Sequence, residues 1–157
     1  MILAPHILAG TAIALQSPNP VAGLILAVGA HYILDSIPHA EYSISPLHKI
    51  FRGEFRAGLP TAARIIIDGG AGIAVAVGMA MFFGYSPILA FAGGVAGVLP
   101  DGMTVLYFIF PNSTYLKAHN NFHQLAHYDK KTSQLPYLWK IGLQILTAVL
   151  AIAAIVF

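Results

Sequence analysis

The chain has 157 residues, of which 57% are hydrophobic and 9% charged. A soluble domain carries about 25% charged residues, so there is too little polar surface here to cover a globule in water, and a mean hydropathy of +0.75 points to a single integral membrane domain. No cysteine is present, which excludes disulfide scaffolds, thiolate metal sites and thiol nucleophiles; a net charge of +2 without a long basic run leaves nothing to grip nucleic acid.

Five apolar stretches, 2–16, 20–38, 61–83, 87–110 and 137–157, predict an all-α, polytopic membrane bundle of about five transmembrane helices. The first is short for a span and relies on local thinning or on its neighbours. It does not read as a signal peptide: there is no basic leader, Pro5 and His6 come early, and no small-residue cleavage site follows. Ser17-Pro18-Asn19-Pro20 turns the chain into the second span. In the connection 39–60, Ser45 can cap a helix that has Pro46 at its first position. Leu47, Ile50, Phe51 and Phe55 would line one face, with His48, Lys49, Arg52 and Arg56 on the other. That is the pattern of a short amphipathic helix on an anionic leaflet.

The third and fourth spans meet at Gly84-Tyr85-Ser86-Pro87 and are rich in small residues (Gly69, Gly70, Gly72 and Gly78, then Gly93, Gly94 and Gly97), which suits close helix packing. Residues 5–39 and 68–101 share a faint pattern of helix, Ser-Pro turn and second helix ending near an Asp. After the connection 111–136, Tyr137 and Trp139 open the last span as interfacial anchors. Lys49, Arg52, Arg56, Arg64, Lys117, Lys130, Lys131 and Lys140 all fall in or beside the two long connections. With five crossings these share one side, which the positive-inside rule makes cytoplasmic. The expected location is the inner membrane of a bacterium or archaeon, with those connections facing the cytoplasm.

Against this apolar background, seven histidines outnumber six carboxylates. His6, His31, Asp35, Asp68 and Asp101 fall inside apolar spans, where an ionisable group costs about 2.5–3.5 kcal/mol on insertion scales and marks a functional site by default. At about 1.5 Å per residue, His6 and Asp68 lie roughly 8–11 Å below the cytoplasmic side. Asp35 and Asp101 arrive at nearly the same level after about 21–23 Å of helix from the other side. His31 and Asp35, four apart, share a helix face, and Pro38 ends that helix so that His39 can fold back. His119, His123 and His127 repeat at intervals of four; the outer two diverge by about 80° and stand about 12 Å apart, so only an adjacent pair can hold one ion. His48 reads as surface, and His127 as support for its neighbours. Asp68 follows Arg64 by four, so an internal ion pair is its alternative role.

His and Asp without Cys form a ligand set for a divalent metal, zinc foremost, with manganese or iron as other fits. The candidate ligands are His6, His31, Asp35, His39, Asp68, Asp101, His119 and His123, more than one ion needs, so one or two ions are expected. Asp35 and Asp101 are also the candidate catalytic carboxylates, orienting a histidine or acting as base. Arg52, Arg56 and Lys117 are candidates for holding an anionic headgroup.

His6, Leu99-Pro100-Asp101 and the pair His119/His123 resemble the small bacterial inner-membrane metal-dependent hydrolases, which show an early His, an LPD-x-D-H segment and a later H-R-G-x-T-H motif. Here Gly102-Met103 follows Asp101, and Asn120-Asn121-Phe122 separates the histidines; Asp35-Ser36-Ile37-Pro38-His39 offers the missing Asp and His from the other hairpin. The His31/Asp35 spacing also resembles that of zinc-dependent phospholipase C ligands. The resemblance implies metal-dependent hydrolysis, and with the membrane setting it points to a phosphoester of a lipid or lipid-linked substrate, so that membrane lipid is the expected partner. The alternative is a divalent-metal or proton transporter, or a metal-binding membrane protein without hydrolytic activity. A transporter needs a polar path to both faces, whereas the non-cytoplasmic third of these spans is almost free of ionisable groups.

Overall fold

Residues 3–16 offer almost no polar side chain to water, and the helix they form, α1 (Leu3–Gln16), is buried on most of its circumference, from Pro5 through Ala14. A helix that is apolar all round belongs inside a bundle. In the computed structural model, which describes residues 2–127 and 135–157, α1 packs against four other helices. These are α2 (Pro20–Ser36), α4 (Phe55–Phe82), α5 (Pro87–Ile109) and α7 (Tyr137–Val156). Ile7, Leu8 and Ala12 of α1 meet Ala76 of α4 and Ala151 and Ile155 of α7 in the core. Two helices complete the order: α3 (Leu47–Phe51) and α6 (Thr114–Ala126), neither of crossing length. Among the described residues there is no strand.

By length and composition α4, α5 and α7 suffice to cross a membrane, whereas α1 and α2 are apolar but shorter, at 14 and 17 residues. Three of the five expected spans therefore reach crossing length. Their outward faces are apolar, with Ile66 and Ile67 on α4, Ile88 and Phe91 on α5, and Leu138 and Leu150 on α7 all exposed. Lys130 and Lys131, which entered the orientation argument, lie outside the described residues.

The turns follow local chemistry. The Asn19 side chain accepts the N–H groups of Val21 and Ala22, with Pro20 at the first position of α2. Ser86 caps α5 by accepting from Leu89 N–H at 3.3 Å. At the end of α4, Gly84 takes φ +78°, Tyr85 N–H reaches Ala80 C=O at 2.8 Å and Gly84 N–H reaches Met81 C=O at 3.3 Å, a Schellman closure that needs the left-handed residue. The 39–60 connection departs from expectation. Ser45 does not cap; its hydroxyl pairs with that of Ser43 at 2.9 Å, α3 stops at Phe51, and after a turn at Arg52-Gly53 the long helix α4 begins at Phe55, six residues before the predicted span.

α1 and α5 approach with almost no side chain between them. Gly10 lies over Gly93 and Gly97, and a Cβ on Gly93 would stand 2.8 Å from the Gly10 carbonyl oxygen and 3.1 Å from Thr11 Cα. The Thr11 hydroxyl spends its hydrogen on Ala90 C=O at 2.9 Å, sealing the same contact. This close approach carries His6 of α1 to the level of Asp101 on α5. Gly93→Ala should therefore lower stability by about 1–3 kcal/mol through overpacking. The check is thermal unfolding in detergent beside Gly78→Ala, where an added Cβ meets nothing within 4 Å; Gly93→Ala should melt lower and Gly78→Ala should not.

Candidate metal centre

Asp35 lies in the last turn of α2 with its side chain 1% exposed, and imidazoles from α1, from its own helix and from α6 and its C-cap converge on it. Its Oδ1 lies 3.1 Å from His6 Nε2. Its Oδ2 lies 3.0 Å from His31 Nε2, 3.0 Å from His123 Nε2 and 3.2 Å from His127 Nε2. His6, His31 and His123 are each 1% exposed, which removes the reading of these rings as a solvated surface.

Hydrogen bonds behind the rings decide which nitrogen faces the centre. His31 Nδ1 is 2.8 Å from Gly97 C=O, an acceptor only, so Nδ1 carries the hydrogen and Nε2 presents its lone pair. The Thr104 hydroxyl donates to Pro100 C=O at 3.4 Å, which leaves its oxygen to accept from His123 Nδ1–H at 3.0 Å. His123 Nε2 is thus also a lone pair. The two Nε2 atoms are 3.0 Å apart, and each is 3.0 Å from Asp35 Oδ2. Three electron-rich atoms face one another in a triangle with no hydrogen among them, an arrangement that requires a cation: a metal ion, or a second proton on a ring. Tetrahedral zinc with ligands at about 2.0–2.1 Å sets its ligand atoms about 3.3 Å apart, close to this spacing. Asp101 Oδ1, 3.8 Å from His31 Nε2 and 3.7 Å from His123 Nε2, offers a fourth vertex. These four residues bring one ligand atom each within 4.8 Å of one another. Orienting partners behind metal-binding imidazoles are a general feature of such sites.

A second group shares Asp35. Asp35, His39 and His127 also bring ligand atoms within 4.8 Å. After Ile37, where α2 has ended, His39 folds back and donates Nδ1–H to Ile37 C=O at 2.6 Å, freeing Nε2, which lies 3.6 Å from Glu41 Oε2. His127 Nδ1 is 3.9 Å from the same oxygen. Burial pushes the His127 imidazole down to about 4, a shift that the Asp35 charge only partly opposes, so the ring is neutral and ligand-competent at ordinary pH. The structure thus gives His127 and Glu41 places that the sequence reading withheld. The four-residue repeat in α6 could equally pair His123 with His127 or with His119, and Glu41 sits two residues after His39 with no helical period to connect them.

The other candidates take different places. His6 stacks on His31 with ring centroids 4.2 Å apart; its Nε2 faces Asp35 Oδ1, and its Nδ1 is buried without a hydrogen-bond partner. His119 Nε2 meets the Tyr32 hydroxyl at 3.1 Å, and its ring lies 5.8 Å from that of His123, beside the centre rather than in it. Burial lowers its pKa first, and the neighbouring His123 and His31 add to this. Asp68 stands apart: Oδ2 accepts Leu3 N–H at 2.6 Å, Oδ1 accepts Ala4 N–H at 3.2 Å, and Tyr42 OH donates to it at 3.2 Å. It is the cap that α1, with no capping side chain of its own, takes from α4. Burial, and then the Asp68 charge, hold the Tyr42 hydroxyl above its ordinary pKa.

A cavity of about 750 Å³ opens beside the centre, and Asp101, Thr104, His123 and His127 reach its wall. Arg52, Arg56 and Lys117 do not line it, and neither does any other Lys or Arg among the described residues. The predicted headgroup cations therefore do not meet this cavity.

Comparison with family models, with curated proteins and with solved structures finds no match to this chain. Its chemistry rests on its own residues: a buried His/Asp group with the composition and spacing to hold a metal ion.

Two substitutions separate ligand from cap. Asp35→Asn should lose most of the bound divalent metal from detergent-purified protein, measured by elemental analysis. Asp68→Ala should keep the metal and lose about 0.5–2 kcal/mol of stability as a missing cap, read as a lower melting temperature.

Proposed function

We propose that this chain is a membrane-embedded, metal-dependent hydrolase that cleaves an ester, foremost a phosphoester, of a membrane lipid. The observation that carries the reading is the triangle of His31 Nε2, His123 Nε2 and Asp35 Oδ2, with lone pairs held inward by Gly97 and Thr104, set beside an open cavity. A divalent ion held there, zinc by donor set, supplies Lewis acidity and lowers the pKa of water to about 7.

The chain's own residues divide the remaining work. Asp35 is buried and shared among four imidazoles, which suits a ligand that fixes the set. Asp101 is half-buried and reaches the cavity wall, where its carboxylate can take the proton of an attacking water and return it to the leaving oxygen. The second group, Asp35, His39 and His127 with Glu41 beside it, supports a second ion sharing Asp35, the arrangement in which paired ions stabilise both the entering and leaving oxygens of a phosphoester. Five membrane crossings, with the metal group below the cytoplasmic face, complete the reading; the basic residues gathered around the long connections support it.

The test is release of headgroup from a panel of lipids by zinc-loaded, detergent-purified protein. Wild type should turn over at least one lipid class, and chelation should abolish this. Asp101→Asn should keep the metal on His31, Asp35 and His123, the three atoms of the triangle, and lose about 10²-fold or more in rate. Bound metal without turnover, together with ion flux in liposomes, would replace the enzyme with a transporter.

A further inference from the structure

The cavity beside the metal group has a direction. Its α5 wall is one helical face: Val98, Asp101, Gly102, Val105 and Phe108 follow at helical spacing over about 15 Å. Leu3 of α1 and Ile65 of α4 add more hydrocarbon to the wall. Other residues of the wall are polar. Ser43 and Ser45 of the 37–46 connection, and Asn120 and Gln124 of α6, contribute hydroxyls and amides. Asp101 and His123 join this wall to the metal group. The ionisable side chains on the wall are Glu41, Tyr42, Asp101, His123 and His127, and among the described residues none is Lys or Arg.

We infer that the cavity seats one apolar chain of a lipid along α5, and that the lipid's head, apart from the ester at the metal, is uncharged and hydroxyl-rich. An apolar chain gains by leaving water for the Leu3, Ile65, Val98, Val105 and Phe108 surface. Ser43, Ser45, Asn120 and Gln124 donate and accept hydrogen bonds without charge, matching a glycerol or sugar head rather than a second anionic group. Among the described wall residues no Lys or Arg offers an anionic ester a counter-charge, which leaves the metal to supply it. A volume of about 750 Å³ lies within the roughly 300–1,000 Å³ of small-molecule sites, enough for one chain and a small head rather than a whole two-chain lipid. The position of the ester at Asp101 rests on the hydrolase reading; the seat for the chain does not.

Gly102 supplies the test. It lines the cavity, is exposed, and a Cβ built on it meets nothing within 4 Å, so Gly102→Leu fills the seat without displacing backbone. The full chain, in nanodiscs, is stripped of metal or loaded with zinc, and bound lauroyl glycerol and lauryl phosphate are measured by native mass spectrometry. Metal-free wild type should bind lauroyl glycerol, and Gly102→Leu should bind it at least about tenfold more weakly with unchanged zinc content and melting temperature. Ile65→Phe, entering from another helix, should weaken it too and stands in if Gly102→Leu does not fold. Lauryl phosphate should bind only the zinc-loaded protein. Equal binding of lauroyl glycerol by wild type and both filled variants overturns the seat, and lauryl phosphate binding to metal-free protein as tight as that of lauroyl glycerol overturns the uncharged head. Binding with no turnover of any lipid removes the hydrolase reading and leaves the seat. Turnover of esters unaffected by both filled variants does the reverse.

Discussion

The Asp35 carboxylate organises the molecule. A lone carboxylate at 1% exposure in an apolar bundle is costly to ionise unless partners or a metal compensate it. Here four imidazoles, on α1, α2 and α6 and at the end of α6, stand within 3.2 Å of it, and since those of His31 and His123 face it with lone pairs, the compensating charge is a cation shared by the whole group. Those rings in turn need something to do with their outer nitrogens, and Gly97 C=O and the Thr104 hydroxyl of α5 answer for two of them. Removing the carboxylate would leave several buried nitrogens without a focus, while removing one ring leaves the others in place. The hierarchy therefore runs from Asp35 outward, and the helices are held in the relative positions that satisfy it.

That arrangement depends on the absence of side chains elsewhere. α1 reaches α5 at backbone distance through Gly10, Gly93 and Gly97; a Cβ on Gly97 would collide with the His6 carbonyl. Small residues often let helices meet where no hydrophobic force drives them together in lipid. Here they also set depth. Because α1 cannot slide along α5 without losing the Gly-on-Gly contact and the Thr11–Ala90 hydrogen bond, the level of His6 relative to Asp101 is fixed by the packing.

Much of this was legible in residue spacing. The five apolar helices fall within a few residues of their predicted bounds except at the start of α4, where Phe55 and Arg56 join the long helix rather than an interfacial one. That difference turns on Gly53: a chain reversal at φ +84° separates α3 from α4, and the hydrophobic pattern across it reads as continuous. His31 and Asp35, four apart, could be assigned to one face from the helix period alone. The α6 histidines could not be assigned, because a repeat of four leaves the choice of pair to the neighbour, and Tyr32 draws His119 aside while Asp35 draws His127 in. Asp68 misled for a related reason. Its depth matched that of the ligands, but the bare N-terminus of α1 lies closer to it and takes both its oxygens.

The central position of α1 bears on how the chain assembles. Its core partners Ala76, Ala151 and Ile155, and its cap Asp68, all lie far downstream, Ala151 and Ile155 on the helix that ends at Val156. The segment that every other long helix surrounds is thus made before the helices that enclose it, and it must wait with its first amide groups unpaired and its small-residue face open until α4, α5 and α7 exist. Such long sequence separations slow the search for native contacts. The metal group shares the delay, since it joins His31 and Asp35 of α2 to Asp101 of α5 and His123 of α6. Competence to bind an ion is in this sense a late property of the chain, gained when distant helices finally meet around α1.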